Sequence, residues 1–319
     1  MRHAWIVVCG LIGVSGLLGW SKSESEPAPP PSFGSLYELV DEHGRRMPRF
    51  EASGIAYTRG RLLVVDDTVN SLFVFTPKGR LQRRIESSRF PGPRAKFEDL
   101  VFVEETGSFF VVGSHYGWDE EAFLNQSVLL RFRLEGSEAL SIDESSVRSL
   151  PLYRGFQKLG LWKPQTMNIE GLAYEPKEDH LLVGLRYPND RAHVYGVSLK
   201  ELESPSEEPP LPEEVLSFPT GTLEGTPFCI SGMVGLADPP GLLIVTSTED
   251  ARHRFLGNRL WFASDRREVG MVLDTFDAGM KAEGLAVGEG KLFISYDNDQ
   301  DDTGIPSRLR VLPLSSLFP

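Results

Sequence analysis

"NIEGLAYEPKEDHLLVGLRYP", Asn168 to Pro188, reads as two short strands joined by a turn. Apolar runs flank Glu175-Pro176-Lys177-Glu178-Asp179, a cluster of turn-forming residues. The hairpin opens on Glu170-Gly171-Leu172-Ala173, a carboxylate and a glycine ahead of an apolar pair. That opening recurs. Ser53-Gly54-Ile55-Ala56 precedes "LLVVDD", and Glu98-Asp99-Leu100-Val101 precedes "FFVVGSHYGW". Ser231-Gly232-Met233-Val234 precedes "LLIVTSTED", and Glu283-Gly284-Leu285-Ala286 precedes "LFISYDND". Repeats in steps of roughly 45 to 70 residues, each several strands long, are the mark of a β-propeller.

The first repeat parses completely. Ile55–Tyr57 is an inner strand A, Leu62–Val65 is B, Leu72–Phe75 is C and Leu81–Ile85 is D. Four antiparallel strands make a blade, and the chain reads as all-β with five blades. A sixth is the alternative, hidden in the long step between Asp99 and Gly171. Later C strands are expected at Val128–Leu134, His193–Leu199, Arg259–Ala263 and Leu309–Leu312. Strand A lines a crowded centre, where a residue without Cβ lets backbones approach. Blade five has little chain left for its own D strand, and "SLYELV", Ser35–Val40, is expected to supply it. The Pro-rich "ESPSEEPPLPEE", Glu203–Glu214, reads as a surface loop.

The N-terminus reads as an export leader over residues 1–21. Arg2 precedes an apolar Ala4–Leu18, and Gly19-Trp20-Ser21 is a small-x-small cleavage site. The apolar run is short for a membrane span, and an uncleaved anchor is the alternative. Residues 22–34 form a Pro- and Ser-rich tether, leaving residues 35–319 as a single propeller domain. An exported monomer, periplasmic or extracellular, is the expectation. The net charge of -12 is a poor match for nucleic acid or an anionic membrane surface. Cys229 is the sole cysteine beyond the leader, so no intrachain disulfide is expected, and it reads as a small buried hydrophobe.

Connectivity gathers the polar residues on one face. Strand A starts there and strand B returns there. The channel-lining set is Ser53, Glu98, Glu170, Ser231 and Glu283. The ends of strand B add Asp66, Asp67, Ser114, His115, Arg186, Thr248, Glu249, Asp297 and Asn298. Three carboxylates around one axis need a cation, Arg186 or Lys281, or else their pKa values rise. Equally, each Glu caps backbone N–H groups of the neighbouring strand A. "YDNDQDDTG", Tyr296–Gly304, has alternating Asp suited to Ca²⁺, though a solvated acidic turn is the plainer reading. Two loops overhang the face, the aromatic Ser114–Gln126 and the basic Asp250–Gly257; they grip a ligand or simply pack. There is no G-x-S-x-G outside the leader, no H-E-x-x-H, no paired Cys and no P-loop, and the six histidines have no ligand spacing.

"EGLAYEPKEDHLLVGLRYP", "VVGSHYG" and "KAEGLAVGEGKLFISYDND" resemble a bacterial family of uncharacterised β-propeller proteins, a domain of unknown function. The resemblance covers about Ser53 to Leu312. That family is similar to the phytase-like and esterase-like propellers, whose face carboxylates bind Ca²⁺. The resemblance places Glu98, Glu170, Arg186, Glu283 and Asp297 on its recurring positions, while Ser53 and Ser231 stand where an acidic ring has Glu. The expected ligand residues are thus Glu98, Glu170, Arg186, Glu283, His115 and Lys281. Any Ca²⁺ falls to Glu98, Glu170, Glu283 and Asp297. A module binding a small molecule or protein partner is the first expectation. A Ca²⁺-dependent phosphoesterase or esterase is the second, and a lactonase-type propeller the third.

Overall fold

The computed structural model describes residues 34–47, 50–91, 95–117, 119–136, 140–163, 167–187, 191–204, 208–264, 268–297 and 306–318. The leader, most of the tether, Trp118, Asn298 and the acidic Asp299, Asp301 and Asp302 lie outside them.

The chain begins with β1 (Ser35–Glu38). Blade one follows as β2 (Ala52–Thr58), β3 (Arg61–Asp66), β4 (Leu72–Phe75) and β5 (Leu81–Ile85). Blade two is β6 (Phe97–Val103), β7 (Ser108–Gly113) and β8 (Leu129–Glu135), edged by the two-residue β9 (Ser141–Ile142) and β10 (Arg148–Ser149). Blade three is β11 (Asn168–Glu175), β12 (His180–Tyr187), β13 (Ala192–Ser198) and β14 (Glu213–Phe218). A small hairpin, β15 (Thr222–Leu223) and β16 (Thr226–Pro227), leads to blade four. That blade is β17 (Cys229–Ala237), β18 (Pro240–Glu249), β19 (Phe255–Ser264) and β20 (Glu268–Phe276). Blade five is β21 (Lys281–Gly288), β22 (Lys291–Asp297) and β23 (Arg308–Pro313), with β1 as its outer strand.

The five-bladed reading holds. Among the described residues the long step between Asp99 and Gly171 contains no sixth blade. It is taken up by β9, β10 and two helices, α1 (Glu120–Gln126) and α2 (Leu152–Lys158). The Pro-rich stretch is only partly loop, because Glu213 and Glu214 begin β14. Its Pro210 and Pro212 pack on Gly155 of α2.

The inner strands contact one another in the order β2, β6, β11, β17, β21, and β21 closes onto β2. Five buried apolar clusters fill the described domain, one between each pair of adjacent blades. The motif glycines make the tight centre possible: a β-carbon on Gly284 would stand 2.5 Å from Ser53 O. Closure follows the expected route. Ser35 pairs with Val311 and Glu38 with Arg308, and Leu39 is buried with blades one and five.

Candidate functional site

One feature of the ladder directs the site residues. In every blade the pairing of strands A and B shifts register at the motif: between Ala52 and Ile55, Phe97 and Asp99, Ile169 and Gly171, Ile230 and Gly232, and Ala282 and Gly284. The extra residue is Glu98, Glu170, Ser231 or Glu283 in four blades, and Ser53 or Gly54 in the first. A bulged residue is unpaired in the ladder and its side chain is re-aimed. Arg186 is itself the extra residue of β12, beside Glu170. Repeated bulging thus carries the polar set to the mouth of the channel.

Each inner glutamate meets a cation. Arg186 Nη1 donates to Glu170 Oε2 at 2.8 Å, and Asn168 Nδ2 donates to Glu170 Oε1 at 2.8 Å. Lys281 turns inward and pairs with Glu283. Lys96, whose side chain is 48% exposed, sets its ammonium 3.2 Å from Asp67 Oδ2 and 3.6 Å from Glu98 Oε1. The compensation that three gathered carboxylates demand comes from three protein cations, and Lys96 was not among the expected residues. Its signal was present: "KFED" and "KAEG" both place Lys two residues before the motif Glu, on the same side of a strand.

The electrostatics tie the group together. Burial lifts Glu98 well above the usual carboxylate range; Lys96 opposes this, while Glu170, Asp67 and Glu283 add to it. Burial pushes Glu283 up to about 6, against the pull of Lys281. Glu170 behaves differently. Burial works to raise it, but Arg186, Lys281 and Lys96 hold it below its ordinary value. Lys96 is raised, chiefly by Glu98 and against its own burial. Asp297 is buried, pairs in register with Lys281 and adds to the field at that lysine.

Other expected residues take different places. His115 is buried with φ at 52°, and its Nδ1 lies 2.8 Å from Gly113 O. Burial lowers its pKa to about 4, opposed by that backbone contact. Its Nε2 is buried without a hydrogen-bond partner among the described residues. Asp66 binds its own loop, accepting from the backbone N–H of Glu51, Thr68 and Val69, while Asp67 faces Lys96. Cys229 is half-buried rather than buried, its Sγ donates to Pro227 O at 3.8 Å, and burial pushes its thiol up to about 11. Phe123 packs at a tilt on Trp162 at 4.5 Å, so the aromatic loop is held by the segment after α2, while Arg254 is tied to Asp250 within the basic loop.

Among the described residues the inner glutamates accept from side chains rather than from the backbone of neighbouring strands. Asp99, one position along, is the residue that caps a neighbouring strand. It is fully buried and accepts from Leu100 N at 2.8 Å and from Leu172 N, in the next blade, at 2.6 Å. Among the described residues, Ser53 Oγ, Asp67 Oδ1, Glu98 Oε1 and Asn168 Oδ1 are buried without a hydrogen-bond partner. Also among them, no three His, Cys, Asp or Glu side chains form a ready metal cage, and no helix is long and apolar enough to cross a membrane.

Fold and site together define a five-bladed β-propeller with a charged ring at one end of its channel. Solved structures share the architecture at low identity. An exo-β-1,3-galactanase from Phanerochaete chrysosporium, solved with β-1,3-galactotriose, superposes with a TM-score of 0.51 at 9% identity, over 88% of this chain and 63% of that one. This chain therefore spans less than two thirds of the galactanase. The same enzyme with galactose gives 0.50 at 9% identity, over 87% and 63%. A luciferin-regenerating enzyme gives 0.48 at 11% identity, over 88% and 96%. Likeness at these identities is one of fold. No protein-family model and no curated protein matches the chain.

Proposed function

We propose that this propeller is a binding module that takes a small hydroxylated ligand at the mouth of its channel. One observation carries the reading: a ring of carboxylates already matched by Lys96, Arg186 and Lys281 lies beside buried acceptors with no donor. A buried unpaired polar atom costs about 1–3 kcal/mol, so several of them together need a reason. Each inner glutamate already faces a protein cation, though Asp67 shares Lys96 and Asp297 shares Lys281, and these cations lessen the call for a charged ligand. Ser53 Oγ, Glu98 Oε1 and Asn168 Oδ1 are suited to hydroxyl donors. In the same reading the chain is exported as a monomer, cut near Ser21, and has no nucleic-acid partner.

The second reading is a Ca²⁺-dependent phosphoesterase of phytase-like type. The partnerless oxygens favour it, since Ca²⁺ takes oxygen ligands alone. Glu98, Glu170, Glu283 and Asp297 would hold the ion, which supplies Lewis-acid activation of an ester when bound. Lys96 and Lys281 sit on two of those carboxylates and would have to leave them, so the fit is poorer than for a neutral ligand.

Thermal melting of the full domain against a panel of sugars, cyclitols, linear polyols and CaCl₂ tests both. A ligand at about 100 times its Kd stabilises by roughly 2.7 kcal/mol, a shift easily seen. The first reading expects a hydroxylated compound to raise Tm in wild type and not in Glu98→Gln. Stabilisation by CaCl₂ alone, lost in Glu170→Gln, supports the second. No shift from any member of the panel defeats both.

A further inference from the structure

The polar mouth is not the only opening on the axis. Asp99 stands at the centre of the channel, and besides Leu100 and Leu172 it also accepts from the backbone of Met233, so one carboxylate stitches blades two, three and four. Immediately past it, each inner strand contributes an apolar residue: Ile55, Leu100, Leu172, Met233 and Leu285. They floor a second cavity of about 340 Å³, which opens at the opposite end of the disc from the glutamates.

The walls of this cavity are uneven. Two positions further along each inner strand lie Tyr57, Phe102 and Tyr174 in blades one to three, but Gly235 and Val287 in blades four and five. Three aromatic residues thus line one side, one face of Tyr57 being stacked on Phe293 and one face of Phe102 on Phe109, while small residues line the other. Glu104 and Glu105, both exposed, complete the lining, and no lysine, arginine or histidine is part of it. Burial, with the carboxylates of Asp179 and Glu105, pushes the Tyr174 phenol up to about 12, a sign that the negative field extends to the aromatic wall.

We propose that this cavity is a second binding site, selective for an organic monocation with a compact apolar body, of the quaternary ammonium class. Aromatic faces attract such a cation through their quadrupole. The two carboxylates supply its counter-charge, and the apolar floor receives its alkyl groups. A neutral molecule of equal shape gains only the last of these. An anion is opposed by Glu104 and Glu105. The site is independent of the polar mouth, since Asp99 fills the axis between them.

Choline and its neutral isostere 3,3-dimethylbutan-1-ol make the test, titrated calorimetrically into the full domain. Choline should bind saturably at one site, and the isostere about tenfold more weakly or not at all, as loss of cation–π and ion contacts requires. Ala237→Trp places a ring at the exposed rim and should abolish choline binding without changing Tm. Should that variant melt early, Glu104→Gln with Glu105→Gln tests the same site from two exposed positions. That pair should weaken choline by about threefold to tenfold and remove its salt dependence. Absence of saturable choline binding overturns the proposal. So does equal affinity for the isostere, or choline binding that neither Ala237→Trp nor the double glutamine variant alters.

Discussion

A chain starting at Asp41 lacks β1, and its last blade is left with three strands. The loss can be sized from the contacts. Leu39 is 1% exposed, and truncating such a leucine costs about 2–5 kcal/mol. β1 makes four residue pairs with β23, Leu39 N donates to Ser307 O at 2.9 Å, and Leu81 N donates to Val40 O at 2.8 Å. Each such bond contributes about 0.5–1.5 kcal/mol net. Against this, residues released from the fold recover about 1–2 kcal/mol each of backbone entropy. These opposing terms nearly offset, and a net loss of about 1–3 kcal/mol is expected against the 5–15 kcal/mol typical of a domain. At about 2–4 °C per kcal/mol for a domain of this size class, Tm should fall by roughly 5 °C. The bare edge of β23 should also promote association. A chain starting at Ser32 is the control and should melt as the full domain does. Scanning calorimetry with light scattering on both truncations is the assay. Equal Tm values would refute the closure by β1.

Glu283 gives a pH signature. Its folded pKa of about 6 lies above the ordinary 4.5, so the folded state binds this proton more tightly. The stability it contributes is fully present below pH 4.5 and is lost as pH rises through 6, by about 2 kcal/mol. Urea melts across that window should show the decline in wild type and a flatter profile in Glu283→Gln; identical profiles would count against the assignment. Asp99→Ala leaves the N–H groups of Leu172 and Met233 without their carboxylate and should cost about 2–4 kcal/mol. Hydrogen exchange at those two amides should rise more than at the rim of the disc, and unchanged exchange would mean that Asp99 does not stitch the blades.

Much of the fold was legible because the motif recurs with the same grammar. The strand parse of blade one matches β2 to β5 within a few residues, and β1 was found by asking what closes the ring. The gathering of Glu98, Glu170, Glu283, Arg186 and Asp297 was read from connectivity alone, and Lys281 joins them by turning its side chain inward. The agents of that convergence were not read, because a bulge is a property of pairing and leaves no mark in one strand's composition. Lys96 was hidden differently. It belongs to the loop before β6, and its role shows only when "KFED" is laid over "KAEG". Asp99 reads as a broken glycine rule until its carboxylate is seen accepting from the backbone of Leu172 and Met233 in two other blades. The seven-residue α1 and α2 are too short to show a helical period. The cavity at the far end required comparing Tyr57, Phe102 and Tyr174 with Gly235 and Val287, which become equivalent only once five strands share an axis.

The account rests on a ring whose three glutamates each face a protein cation and which binds a neutral hydroxylated ligand without metal. Its most direct test is calorimetric titration, in EDTA, of the hydroxylated compound that raises Tm most, into wild type and Glu98→Gln. The account predicts saturable binding in wild type that survives EDTA and is weakened about tenfold or more, some 1.4 kcal/mol, in Glu98→Gln. Binding that disappears in EDTA and returns with Ca²⁺, or that is indifferent to Glu98→Gln, would contradict it.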